Sequence, residues 1–441
     1  MPDRKETRLV NCLSCPFYPT LTGSHLVNMV KTLVQFILIR DQNELKVWEF
    51  ENTFNTDQDQ MYDIEFYMKS HQWQKRLESG EQISKSELLD VFEGFRSKEP
   101  IIYNIETTNN CNMRCKMCPR TTKMTRAITN LDDRFYDRIL EQIRPHDADL
   151  WKQWEAFCEK NYGISRDSVP SENHFFLYII PQVIQLHGYG DPLLDKNLSN
   201  VIRRLTTKGI QSYFSCNPAN INVEVTRKQM EAGLTYLKYS FESTDDKKFK
   251  DIRGNQANFT QAFKKTMKIL ELKEQRQYST RIVITMIDVG HDEEQQEEFE
   301  NLRQVFQDAN VYIYLKSEDQ QWYRKDETLA SYLDKEGRDL PDRKQDFYGT
   351  NAIHWLEFCK HPWMSMSIKS DGEVHMCMED YNNEVFLGDA NKDSLKEIWN
   401  GELYKNFRCD HFSLNPCIKC IKECDMPKIG EFLCRTKVIS L

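Results

Sequence analysis

From Ile101 onward six short apolar runs, "IIYNIE", "QVIQLHG", "IQSYFS", "YLKYSFE", "RIVITMI" and "VYIYLK", alternate with amphipathic stretches such as "FYDRILEQI" and "FTQAFKKTMKILEL". Strand-length apolar runs separated by helix-period segments specify parallel strands joined by crossover helices, because a parallel connection needs an element long enough to return the chain along the sheet. The predicted fold class is therefore α/β, a partial (β/α)6 barrel over residues 99–320. Residues 1–98 read as an amino-terminal α+β region of no specific signature. Within it "LVQFILIRDQNELKVWEF" has the pattern of a hairpin turning at Asp41-Gln42-Asn43, and two helical patterns end near Phe95. A charged stretch makes residues 321–350 a linker. Residues 351–441 form a small cysteine-rich domain with a strand-turn-strand at Asp371-Gly372 and a short amphipathic helix in "SLKEIWNGELYKNF".

Composition narrows the function. The chain has 441 residues, enough for about two to four domains. Its net charge is −9 and no block of Lys and Arg occurs, so it lacks the basic footprint of a nucleic-acid or anionic-membrane binder. The most apolar early run, Leu26 to Ile39, is interrupted by Lys31 and too short to span a bilayer, and no secretion signal precedes it, which places the chain in the cytoplasm. In a long chain without such a signal, fourteen cysteines in clusters point to metal or redox chemistry and not to a disulfide framework.

The first cluster is "TTNNCNMRCKMCPR", with Cys111, Cys115 and Cys118 directly after the first strand. That loop belongs to the carboxyl end of the sheet, where α/β folds build their sites. Three thiolates can hold three irons of a 4Fe-4S cluster and leave the fourth open, whereas a structural zinc ion needs a fourth ligand nearby. The bland alternatives are part of a zinc site or three incidental cysteines. CNMRCKMC resembles the CxxxCxxC signature of the radical S-adenosylmethionine (SAM) enzymes, with Met117 where that family often has an aromatic residue. The resemblance implies a SAM molecule chelated to the open iron and cleaved reductively to methionine and a 5′-deoxyadenosyl radical.

Later strand ends fit that resemblance. "HGYGDPLLD" resembles the family's Gly-Gly-Glu-Pro motif, which implies SAM contacts at Gly188 and Gly190, and at Asp191 in place of Glu. Ser215 and Asn217 after the third strand, Ser240 and Glu242 after the fourth, and Arg253 in "DIRG" occupy positions that the resemblance assigns to the cofactor. Taken singly, Asn217 also reads as a turn cap and Arg253 as a surface charge. The insertion "DADLWKQWEAFCEKNYGISRDSVPSENHFF" carries Trp151, Trp154 and Cys158, which read as packing residues.

The second cluster places twelve residues between Cys359 and Gly372 and four between Gly372 and Cys377, with Cys417-Ile418-Lys419-Cys420 and Cys424 beyond. It resembles the SPASM and twitch auxiliary domains that follow radical SAM barrels, so the resemblance covers roughly residues 99–425. It implies a second, auxiliary 4Fe-4S cluster on Cys359, Cys377, Cys417 and Cys420, fully ligated and suited to electron transfer. A zinc ribbon is the alternative. Cys409 and Cys424 are left unassigned, as are Cys12 and Cys15.

The expected activity is hydrogen abstraction from a small polar, carbohydrate-like substrate, giving oxidation or epimerisation, with a flavodoxin or ferredoxin as reductant. A peptide maturase and a non-catalytic iron-sulfur or zinc scaffold are the alternatives, and no residue is singled out as catalytic.

Overall fold

The computed structural model describes residues 48–49, 62–78, 85–168, 174, 177–288, 293–306, 309, 311–317, 359–415 and 417–424. Its strands are β1 (Trp48–Glu49), β2 (Ile102–Ile105), β3 (Val183–Gln185), β4 (Gln211–Cys216), β5 (Tyr236–Ser240), β6 (Arg281–Asp288), β7 (Val311–Ser317), β8 (Met366–Ile368), β9 (Glu373–His375) and β10 (Phe386–Asp389). The six runs expected as strands all form, as β2 to β7. Helices separate them: Asp133–Leu140 and Ala148–Tyr162, then Leu198–Thr207, Val223–Glu231, Asp246–Arg253 with Phe259–Arg276, and Glu293–Phe306. This is the α/β alternation of a partial (β/α)6 barrel, followed by the small carboxyl-terminal domain.

The chain divides into two compact units. The first takes residues 1–50, 107–124 and 189–318. In it β4, β5, β6 and β7 are consecutive parallel neighbours, with Tyr213 opposite Tyr236, Tyr236 opposite Arg281, and Ile282 opposite Val311. Phe214, Leu237, Ile282, Val283, Ile284, Val311 and Tyr312 are nearly inaccessible, which is why these strands read as apolar runs and not as alternating ones. β1 adds to β7 in parallel, with Trp48 beside Tyr312. The second strand of the expected hairpin thus extends this sheet. The rest of that hairpin, the linker at 321–350, and Cys12 and Cys15 lie outside the described residues.

The second unit takes residues 51–106, 125–188 and 319–441. β2 is flanked by β3 and β8, both parallel to it, and β9 and β10 continue antiparallel. The turn between β8 and β9 needs glycine: Gly372 has φ +87, and a Cβ there would meet the Asn391 side chain at 2.3 Å. The expected carboxyl-terminal helix is two, Leu395–Asn400 and Glu402–Phe412, broken at Gly401. The first starts at a capping box in which Glu397 N donates to Ser394 Oγ and Ser394 N donates to Glu397 Oε2.

The core of this unit joins segments distant in sequence. Phe66 and Tyr67 from the helix Ile64–Glu78, Leu88 and Phe92 from Lys85–Phe95, Trp154 and Cys158 from the insertion, and Trp363 and Phe412 pack together. Trp154 and Cys158 are fully buried, and Trp154 Nε1 donates to the Leu177 carbonyl at 2.6 Å. Each such large apolar side chain contributes on the order of 1.5–3 kcal/mol by leaving water. Among the described residues no helix is long and apolar enough to cross a membrane.

Candidate metal centres

The cysteine loop is held by backbone hydrogen bonds to the end of the helix Asp246–Arg253. Arg114 N donates to the Arg253 carbonyl at 3.0 Å and Lys116 N to the Ile252 carbonyl at 2.9 Å. Inside the loop Met113 N donates to Cys111 Sγ at 3.4 Å, Cys118 N donates to the Cys115 carbonyl at 3.2 Å, and Arg120 Nε donates to the Asn109 carbonyl at 2.9 Å. These bonds fix three thiols on one short segment. Burial pushes the Cys111 thiol up to about 11, with Asp191 and Cys115 adding to the rise; burial and Cys115 push Cys118 up to about 12. Binding of a metal centre by these thiols would release their protons.

Arg253 supplies the positive charge already present. Its Nη1 donates to Cys115 Sγ at 3.4 Å, while Nε and Nη2 form a two-pronged pair with the fully buried Glu242. Two residues that the sequence assigned separately to the cofactor therefore bind each other. This pair positions the Cys115 edge of the loop.

Asp191 is 3 % exposed and bridges two segments: its N–H donates to the Asn110 carbonyl at 2.8 Å, and its carboxylate accepts from Leu193 N and from Asn220 Nδ2 at 2.6 Å. Burial raises its pKa above the ordinary carboxylate range. Gly190 lies so close to the cysteine loop that a Cβ would meet the Thr108 carbonyl oxygen at 2.1 Å, and one at Gly188 would meet the Glu106 carboxylate at 2.5 Å. The close approach that these glycines permit is to the chain's own backbone and side chains. Asn217 caps a short turn, its Oδ1 accepting from Ala219 N, yet among the described residues its buried Nδ2 has no acceptor. Such an orphaned donor fits a polar ligand at this strand end. Ser240 is buried at the end of β5 and Ser215 half-buried near the end of β4. Asn220, which holds Asp191 and exchanges hydrogen bonds with Asn112, was missed in sequence because nothing local distinguishes it from a turn residue.

In the second unit Cys359, Cys377 and Cys420 are buried, at 4, 5 and 1 % exposure, while Cys417 is exposed, its N–H donating to Asn415 Oδ1. Burial pushes the Cys377 thiol well above its usual range, and neighbouring Cys420 and Cys424 add to that rise. Cys424, left unassigned by sequence, thus stands in the same electrostatic neighbourhood. Three buried thiols in so small a domain fit a bound cluster. Among the described residues no three His, Cys, Asp or Glu side chains converge as ligands of a single ion.

A buried polar network holds this domain against β2. Glu106, with no exposed surface, accepts from Arg126 Nη1 and Nη2 at 2.9 Å each and from Ser370 N and Oγ at 3.2 and 3.0 Å. Arg126 Nε also donates to the Tyr381 carbonyl at 2.8 Å.

Residues 359–421 match the family model of the SPASM iron-sulfur cluster-binding domain. No curated protein is similar to the chain by sequence. Among solved structures the chain is similar to BtrN in complex with AdoMet and 2-DOIA (14 % identity, TM-score 0.35, covering 70 % of this chain and 85 % of that one). It is also similar to SuiB of Streptococcus suis bound to S-adenosylmethionine (13 %, 0.47, 76 % and 74 %) and to anSMEcpe with bound AdoMet (11 %, 0.44, 76 % and 91 %). These scores carry no assignment of activity. The family match gives this chain a SPASM iron-sulfur cluster-binding domain at residues 359–421, carboxyl-terminal to an α/β region whose first strand leads into a CxxxCxxC loop.

Proposed function

We propose that this protein is a radical SAM enzyme that oxidises a small polar substrate of carbohydrate-like chemistry. The observation that carries the reading is the loop of Cys111, Cys115 and Cys118 after β2, with Arg253 donating to Cys115 and Asp191 tied to the loop's backbone. Those three thiolates would hold three irons of a 4Fe-4S cluster. When bound, that cluster and SAM supply a 5′-deoxyadenosyl radical able to take a hydrogen atom from an unactivated carbon. Gly188, Gly190, Asp191, Ser215, Asn217 and Ser240 are the proposed SAM contacts, while Glu242 orients Arg253. The buried Nδ2 donor of Asn217, which has no acceptor among the described residues, supports a polar ligand there.

Cys359, Cys377, Cys417 and Cys420 are the proposed ligands of the second cluster, which when bound supplies an electron acceptor and makes oxidation the net outcome. A flavodoxin- or ferredoxin-type reductant would deliver the first electron, and the cytoplasm is the compartment that suits such a partner.

The test is iron, acid-labile sulfide and zinc per chain after anaerobic reconstitution, with deoxyadenosine formation from SAM and dithionite. Wild type should hold about eight irons, and Cys111, Cys115 and Cys118 all changed to Ala about four. Only wild type should release deoxyadenosine. Undiminished deoxyadenosine from the triple variant would sink the assignment.

A further inference from the structure

Lys369 lies at the end of β8, in the turn before Gly372, and is 1 % exposed. An ammonium carries three donors. Here one of them reaches the Met378 carbonyl, at 2.9 Å, and among the described residues no carboxylate lies within ion-pair distance of Nζ. A lysine so placed is costly to bury unless negative charge faces it. The charged groups around it are Glu106, Arg126, Asp380 and Cys377. Two of these are already engaged: Glu106 is held by Arg126 and Ser370, and Asp380 accepts from Glu384 N at 3.0 Å and from Val385 N at 2.7 Å, with His375 Nδ1 at 3.4 Å. Glu106 and Asp380 are balanced by Arg126 and Lys369, so without the lysine's charge these groups would leave one net negative charge beside Cys377.

The backbone beside Cys377 is fixed from both sides. Met378 N donates to the hydroxyl of Tyr103, itself 1 % exposed and packed against Tyr62 and His361, and the Met378 carbonyl accepts from Lys369. The lysine is therefore anchored one residue from a proposed cluster ligand, and its charge cannot swing away into solvent.

We propose that Lys369 is the group that sets the reduction potential of the auxiliary cluster, holding it higher than thiolate ligation alone would. The inference rests on the reading that Cys377 ligates that cluster. A cluster with four thiolate ligands is anionic and gains a further negative charge on reduction, so a fixed buried cation stabilises the reduced form more than the oxidised one. Lys369 acts through Cys377 and its surroundings and is a positioning and tuning residue.

The experiment uses the full chain with Cys111, Cys115 and Cys118 changed to Ala, so that the auxiliary cluster alone is observed, and compares Lys369 with Lys369→Gln, Lys369→Met and Lys369→Arg. Iron and sulfide are counted, and the midpoint potential is read by an EPR-monitored redox titration. With about four irons retained, Lys369→Gln and Lys369→Met should lower the midpoint by at least 59 mV, a tenfold change in a one-electron equilibrium, and Lys369→Arg should lower it by less. Lys369→Gln keeps a donor for the Met378 carbonyl and so separates charge from hydrogen bonding. An unchanged midpoint in Lys369→Gln at full iron content overturns the inference and leaves the cluster assignment standing. Absence of iron from the triple-Ala chain with Lys369 intact overturns the assignment itself.

Discussion

Replacing Arg126 with Leu would leave the Glu106 carboxylate buried with half of its donors gone. Glu106 accepts four hydrogen bonds, two from the guanidinium at 2.9 Å and two from Ser370, and neither side chain of the ion pair has appreciable exposure. At that separation two unit charges attract by about 6 kcal/mol for an effective dielectric of 20, and breaking a buried pair from one side costs about 3–5 kcal/mol because the survivor stays desolvated. Arg126→Leu also removes the bond to the Tyr381 carbonyl, worth about 1 kcal/mol. The loss expected is thus about 4–6 kcal/mol, comparable with the whole stability of many domains. It would be read by anaerobic chemical denaturation followed by circular dichroism. Arg126→Leu combined with Glu106→Leu should recover at least half of the loss, since no charge is then stranded. A change below about 1 kcal/mol in the single variant, or a double variant weaker than the single by the full value of a second lesion, would refute the reasoning.

Three further outcomes follow from the geometry. Cys417→Ala should lower iron by about four per chain while Cys424→Ala retains it, because the SPASM match ends at residue 421; the reverse result would assign the fourth ligand to Cys424, which lies near Cys377. Gly190→Ala should abolish assembly of the first cluster, measured as iron content, since its Cβ would meet the Thr108 carbonyl oxygen at 2.1 Å and the backbone on both sides must move; wild-type iron would contradict the close approach. Burial pushes the Asp63 carboxyl up from 3.8 to about 7, outweighing the hydrogen bond from Phe66 N at 3.0 Å. The folded state thus binds the proton more tightly than the unfolded one, and this group's contribution is complete below about pH 4 and lost as pH rises through about 7, a span of about 4 kcal/mol at most. Asp63→Asn keeps a helix cap and should flatten that part of the pH dependence in urea unfolding at pH 5 and 8; an unchanged slope would exclude Asp63 as its source.

The sequence alone determined the features set by local pattern. The positions of β2 to β7 follow from apolar runs of strand length, since strands buried on both faces carry no polar alternation, and the Cys111, Cys115 and Cys118 loop follows from its place after the first of them. The paired motif around Cys359, Cys377, Cys417 and Cys420 was legible for the same reason, as short-range spacing that the SPASM match bears out as a domain. Pairings between distant residues were decided by tertiary structure. Glu242 and Arg253 form an ion pair, Asn220 holds Asp191, and Lys369 is buried beside Met378, none of which local spacing reveals. Phe92, Trp154 and Trp363 share a core, three side chains that no sequence window contains together. Whether a polar side chain is exposed, paired or stranded depends on which segments the fold brings against it, and that information resides in long-range packing, beyond the reach of periodicity.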